Sequence, residues 1–239
     1  VSDIPTLFSP DGPAIFPEYL TDADLLVCPS DMDAVKVHYG EFQVGGSMNP
    51  VDPGATRSEE RPTSPCRLYN ISYNYYGWVI KPSHYLRSSA SSNMDASRLS
   101  DTPSWLDEGF SQAFAGVLYT MATEGAYYPW IWDEDIHYFH ADQGETTLYR
   151  IRDGVERFWI TDVNNPSRTA DAQSDIAVMH DMGGNPWVTN TYAGFNHTPG
   201  GGNVLYMDGH VSFEYYPGAF PMSRTWAWLF SDPRRLFAR

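Results

Sequence analysis

Apolar and polar positions alternate most sharply near the end of the chain, in GGGNVLYMDGHVSFEYY from Gly200 to Tyr216. Asp-Gly between two such runs is a strong hairpin signal, because a type I′ turn needs positive φ at both central residues. A two-residue turn at Asp208 and Gly209 sets Met207 opposite His210, Tyr206 opposite Val211, Leu205 opposite Ser212 and Val204 opposite Phe213. Side chains alternate faces along a strand. One face then carries Val204, Tyr206, Val211 and Phe213, and the other the mixed set Leu205, Met207, His210, Ser212 and Glu214. Asp208 reads as a turn residue rather than a catalytic acid.

Periodicity of 3.6 residues predicts a helix beginning near Pro103, with Thr102 as N-cap and Phe110, Phe114, Val117, Leu118 and Met121 on its buried face. A second helix is predicted over Thr147 to Trp159, from the spacing of Leu148, Ile151, Val155 and Phe158. Shorter signals predict a helix over Ala14 to Leu20 and a final helix over Ser223 to Phe237, broken by Pro233. Leu25 to Cys28, Leu68 to Ile80 and Ile176 to Met179 read as strands. Residues 30–61 read as loop, punctuated by Gly45-Gly46, Pro50 and Pro53-Gly54. With no internal repeat or linker, the expectation is one α+β domain over residues 1–239, with a short antiparallel sheet and much irregular structure.

Composition narrows the function classes. The 239 residues are 42% hydrophobic and 15% aromatic, enough for a sizeable core. A formal net charge of −15 opposes nucleic-acid binding, since phosphate neutralisation needs a basic surface, and Arg234, Arg235 and Arg239 are too few. No apolar run of membrane-spanning length appears. The chain opens on Val1, so processing or an upstream segment is expected.

Candidate chemistry is sparse. Cys28 and Cys66 do not follow CxxC spacing. In an extracellular setting they favour a disulfide worth about 3–4 kcal/mol in the chain-entropy picture, against the alternative of two buried thiols. Glu134, His137 and His140 would share a face only on a helix, HExxH is absent, and His180-Asp181 has no metal-ligand spacing. No metal or cofactor is expected from motifs; the acidic surplus admits calcium, without an EF-hand pattern. GxSxG, P-loop and GxGxxG patterns are missing, so no enzyme class is signalled. Carboxylate groups occur at Asp107-Glu108 and at Asp133-Glu134-Asp135. Asn70-Ile71-Ser72 and Asn196-His197-Thr198 are N-glycosylation sequons, making Asn70 and Asn196 glycan candidates.

Four phrases carry a family resemblance: IFPEYLTDADLLVCPSD (15–31), SYNYYGWVI (72–80), LYRIRDGVERFWITDVNNP (148–166) and FNHTPGGGNVLYMDGHVSFEYYPGAFP (195–221). Together they resemble the type IV prepilin-like, or pseudopilin-like, proteins of planctomycete-type bacteria with a C-terminal His–nine residues–Asp-Gly signature. The resemblance implies an α+β pilin-like head, normally joined to a hydrophobic N-terminal helix that packs into a filament. It also implies export, and a place on or outside the cell. That helix is not in this chain, and ten residues rather than nine separate His197 from Asp208. The extra residue fits the Gly200-Gly201-Gly202 run, read here as a loop. The resemblance brings no catalytic residues. His197, Asp208 and Gly209 are read as structural, with His197 bonding the backbone of the glycine loop.

The leading expectation is a non-catalytic structural subunit of an extracellular pilin-like filament or surface appendage. It would partner with its own copies and carry surface glycans. A secreted polysaccharide-binding module, with Trp132 or Trp187 as stacking platforms, is the first rival. A secreted hydrolase using paired carboxylates is the second.

Overall fold

The computed structural model describes residues 9–31, 42–46, 58, 60–68, 72–124, 133–155, 173–182, 195–197 and 200–231. Among these residues are six strands, β1 (Tyr73–Tyr75), β2 (Ile136–His140), β3 (Gly144–Leu148), β4 (Ala177–Asp181), β5 (Gly201–Tyr206) and β6 (Val211–Tyr215). They form an antiparallel four-stranded sheet in the order β1-β4-β5-β6 and a separate β2-β3 hairpin. Two longer helices, α1 (Glu108–Glu124) and α2 (Arg224–Ser231), complete an α+β fold. Among the described residues no helix is long and apolar enough to cross a membrane.

The long helix starts later than its apolar period suggests. Thr102–Trp105 makes a single helical turn. Leu106 then turns extended to bridge Leu86, and Asp107 N–H donates to the Tyr85 carbonyl. Asp107 restarts the helix as a cap: its Oδ1 accepts from Phe110 N at 2.8 Å, which satisfies an otherwise orphaned N–H. Its Oδ2 accepts from Ala141 N and so ties the helix start to the β2-β3 turn. The predicted stripe is correct in kind, since Phe110, Phe114 and Leu118 are buried and Val117 packs against them. The Met121 side chain lies outside the described residues.

The helix predicted from Thr147 is not formed where it can be seen. Thr147 and Leu148 belong to β3, paired with His137 and Ile136. The β-branched Thr146 and Thr147 suit a strand, and pairing with β2 overrides the weak helical period. Leu148 and Val155 are both fully buried, but in separate clusters: Leu148 in the main core, Val155 beside Val79 and Ile176. Residues 156–159 lie outside the described set. Leu25 and Leu26 are not strand but part of the 3-10 turn Ala23–Leu26, started by the Asp22 side chain accepting from Asp24 N. The first helix forms earlier and shorter than predicted, as Gly12–Ile15, the strand expected over Leu68 to Ile80 is reduced to Tyr73–Tyr75, and Ile176 to Met179 gives β4. The final helix, α2, forms over Arg224–Ser231, and residues 232–237 lie outside the described set.

The C-terminal hairpin forms, one register step away from the prediction. Leu205 pairs with Val211, Val204 with Ser212 and Asn203 with Phe213. The turn has three residues, Met207-Asp208-Gly209, closed by Tyr206 N donating to His210 O, with Gly209 at φ 89°. A third turn residue in the left-handed region is the alternative to a two-residue turn, and Gly209 supplies it without strain. A one-residue slip exchanges faces. Val204 is therefore buried opposite Ser212, whereas Val211, Phe213 and Tyr215 point together to solvent.

The main core is aromatic. Tyr76, Tyr85, Trp105, Phe110, Phe114 and Trp226 are each essentially inaccessible. Trp226 lies 5.0 Å from Tyr85 and 5.6 Å from Tyr76, centroid to centroid. A polar thread runs through this core. His180 Nδ1–H donates to the Asp181 carbonyl at 2.7 Å, which leaves Nε2 as the acceptor for the Tyr76 hydroxyl. The same hydroxyl oxygen accepts from Trp226 Nε1. Burial pushes His180 down to about 4, in keeping with a neutral ring in that tautomer.

Two outcomes are expected. Tyr76→Phe keeps the ring but strands the Trp226 N–H and His180 Nε2, and should lower unfolding free energy by about 2–4 kcal/mol in urea titrations. His84 is buried, and burial, with Lys81 nearby, pushes it down to about 4. Between about 4 and the ordinary 6.5 the unfolded chain binds more protons at this residue than the folded one. The His84 contribution is therefore complete above about 6.5 and is lost as pH falls toward 4. A His84→Gln variant should show a shallower loss of stability with acid over that window, measured by denaturant midpoints at stepped pH.

Candidate functional site

Three stretches far apart in the sequence meet at one place. Cys28 and Asp31 come from CPSD, Ser72 and Tyr73 from SYNYY, and Asn196 and His197 from the FNH segment. Asp181 closes β4, directly opposite Tyr73 on β1. Ser72 Oγ donates to Asp31 Oδ2 at 2.9 Å, and the Ser72 carbonyl accepts from Met182 N and from Asn196 Nδ2. These bonds draw three distant stretches of chain together over the end of the sheet.

Asp181 is the centre of the arrangement and is almost wholly buried. Its Oδ2 accepts from Asn203 N at 2.6 Å and Asn203 Nδ2 at 2.9 Å, and lies 2.8 Å from His197 Nε2. Its Oδ1 is buried and has no hydrogen-bond partner among the described residues. An acceptor in that state costs about 1–3 kcal/mol of desolvation unless something meets it. Cys28 Sγ lies 3.6 Å from the same His197 nitrogen. Burial, together with the adjoining Cys28 and Asp181, pushes the Tyr73 hydroxyl up to about 12, so it remains a neutral O–H.

The glycine run serves this site. Gly201 and Gly202 are not loop but the first residues of β5. A Cβ on Gly202 would lie 2.8 Å from the Asp181 Cβ and 2.9 Å from Met222 Cε. Gly201 sits at φ 133°, and a Cβ there would lie 2.2 Å from the Glu214 carbonyl oxygen. Glycine here lets β5 close on Asp181.

Several sequence expectations are corrected. Cys28 and Cys66 are both free thiols: Cys28 is buried against His197, and Cys66 is exposed on the 3-10 turn Pro65–Arg67. With Cys28 turned inward and Cys66 outward, no bridge joins them. His197 engages Asp181 and Cys28 rather than the glycine-loop backbone. Asp208 and Gly209 are turn residues as read, but Asp208 pairs with His210 at 2.6 Å, and the His210 ring stacks on Tyr206 at 4.4 Å. The backbone N–H and ring of His210 hold the Asp208 carboxyl below its usual range. The Asn196 amide nitrogen is committed to Ser72, so a glycan there would displace that bond. Asn70, Trp132 and Trp187 lie outside the described residues.

Asp181 and Asn203 were missed by sequence reasoning. His180-Asp181 carries no metal-ligand spacing, and Asn203 lies inside the hairpin strand without a motif of its own. The adjoining glycines were the available signal, since paired glycines in a strand mark a close approach.

His137 and His140 lie on β2, an odd number of residues apart, so they face opposite sides. His137 is exposed, whereas His140 is buried with Nε2 on the Leu86 carbonyl and Nδ1 accepting from Asp142 N.

Gly202→Ala should cost about 1–3 kcal/mol, because its methyl has no room without moving Asp181 or Met222. Gly144→Ala, which meets open space but sits at φ 81°, controls for backbone strain alone. A Gly202 loss in calorimetry no larger than the Gly144 loss would refute the close-packing account. Comparison with known protein families, with curated proteins and with solved structures finds no match, so the site's chemistry is read from its own geometry.

Proposed function

We propose that the chain is a non-catalytic structural subunit, the head of a pilin-like filament or appendage outside the cell, working through contacts with its own copies. The observation that carries this reading is the outer face of β6. Val211 and Tyr215 are 59% and 66% exposed, with Phe213 between them at 37%. Among the described residues, β6 is the last strand of the sheet. An apolar row on an edge strand combines a surface worth burying with backbone groups suited to pairing. Aromatic side chains are favoured anchors in such contacts. The net charge of −15 keeps assemblies apart from one another.

The rival readings draw less support. Phe213 and Tyr215 meet edge-on at 77°, not as the flat shared platform that sugar stacking favours. Asp107 is spent on capping α1, and Asp135 is held by Arg150 N and Arg152 Nη2. Neither is set as one of two carboxylates facing across a cleft.

Electron microscopy and sedimentation of the native protein, as released from its source, test the proposal. Regular filaments or defined oligomers are expected. The double variant Phe213→Ser/Tyr215→Ser should shift the population to monomers while leaving the melting temperature nearly unchanged. Monomers for the unaltered protein at concentrations where pilins assemble would overturn it.

A further inference from the structure

We propose that Cys28, Asp181 and His197 form a structural site for a thiophilic divalent ion of the zinc class. One donor atom from each residue lies within 4.8 Å of the others. The three come from separate parts of the chain, the CPSD loop, the end of β4 and the segment before the glycines. Cys28 and Asp181 are buried, and the His197 side chain is 23% exposed, which leaves a path from solvent.

The distances fit an ion better than a catalytic relay. A Cys-His-Asp relay puts the thiol on one ring nitrogen and the carboxylate on the other. Here both meet Nε2: Cys28 Sγ at 3.6 Å and Asp181 Oδ2 at 2.8 Å. Donors that converge on one point, rather than in series, are what a metal requires. Tetrahedral zinc, with bonds of about 2.3 Å to sulfur and about 2.0 Å to nitrogen, places those ligands about 3.6 Å apart. Its oxygen and nitrogen ligands stand about 3.4 Å apart, so the carboxylate must open by roughly half an ångström or present its other oxygen. Asp181 Oδ1, buried with no hydrogen-bond partner, supplies that second option.

The surroundings resemble a supporting shell. Asn203 holds Asp181 Oδ2 with two N–H groups and fixes the carboxylate's orientation. Thiolate and imidazole are wrong donors for calcium, which takes six to eight oxygens. On binding, the Cys28 thiol proton leaves to solvent, His197 carries its one ring proton on Nδ1 and offers Nε2, and the ion takes the place of the hydrogen bond between His197 and Asp181. Water fills the fourth position. The ion pins the CPSD loop to the sheet, in the role that a disulfide was expected to play.

The test is cobalt(II) titration of the reduced, chelator-treated full chain, followed by zinc(II) competition. One equivalent of cobalt should bind, with a thiolate-to-cobalt charge-transfer band that zinc abolishes and a zinc-dependent rise in melting temperature. Cys28→Ser should remove the band and weaken zinc binding at least about tenfold, a loss no smaller than that for supporting residues. Cys66→Ser should leave both unchanged. Failure to bind one equivalent, a band that survives Cys28→Ser, or a band lost with Cys66→Ser overturns the proposal. If Cys28→Ser does not fold, X-ray absorption of the zinc-loaded unaltered chain decides: a sulfur neighbour near about 2.3 Å is expected, and a shell without sulfur refutes the site.

Discussion

The buried thread from Trp226 through Tyr76 to His180 and the Asp181 carbonyl is the constraint on which the rest of the structure depends. It crosses an aromatic core where any unpaired polar group carries its full desolvation cost. It is satisfied only when α2, the chain after β1 and strand β4 are all in place at once. Packing alone would let these elements slide, because Tyr, Trp and Phe rings offer several tilted contacts of similar energy. The donors and acceptors allow one arrangement. That arrangement aims the last residue of β4 at the end of the sheet.

Asp181 thus belongs to two systems. Its backbone carbonyl ends the core thread, and its side chain gathers Asn203, His197 and Cys28. β4, which carries both ends, is paired on both edges, by β1 and β5. Gly202 removes the one side chain that would keep β5 away. Segments far apart in the chain therefore act together at this spot.

The outer face of β6 lies beside this site: Phe213 pairs with Asn203, and its ring meets the His197 ring edge-on at 6.0 Å. β6 has β5 on one side, and its outward face carries Val211, Phe213 and Tyr215. A chain of net charge −15 still exposes this apolar row to water.

Local chemistry was legible in the sequence wherever a few neighbouring residues decide the outcome. The α+β class, the apolar stripe Phe110–Phe114–Leu118, β4 and the hairpin at Asp208-Gly209 all follow from period and turn residues. What a turn signal does not contain is its own length: two or three residues fit Met207-Asp208-Gly209 equally well, and the choice reverses every side chain on β6. The apolar spacing after Thr147 likewise fits helix or strand until β2 offers itself as a partner. The pairing of cysteines was equally beyond local reading, since Cys28 is claimed by a histidine 169 residues away. Short-range propensity determined the elements. Only long-range pairing decided their register, which faces met water, and that Cys28, Asp181 and His197 share one point, because those outcomes are set by contacts between segments whose sequences carry no mark of one another.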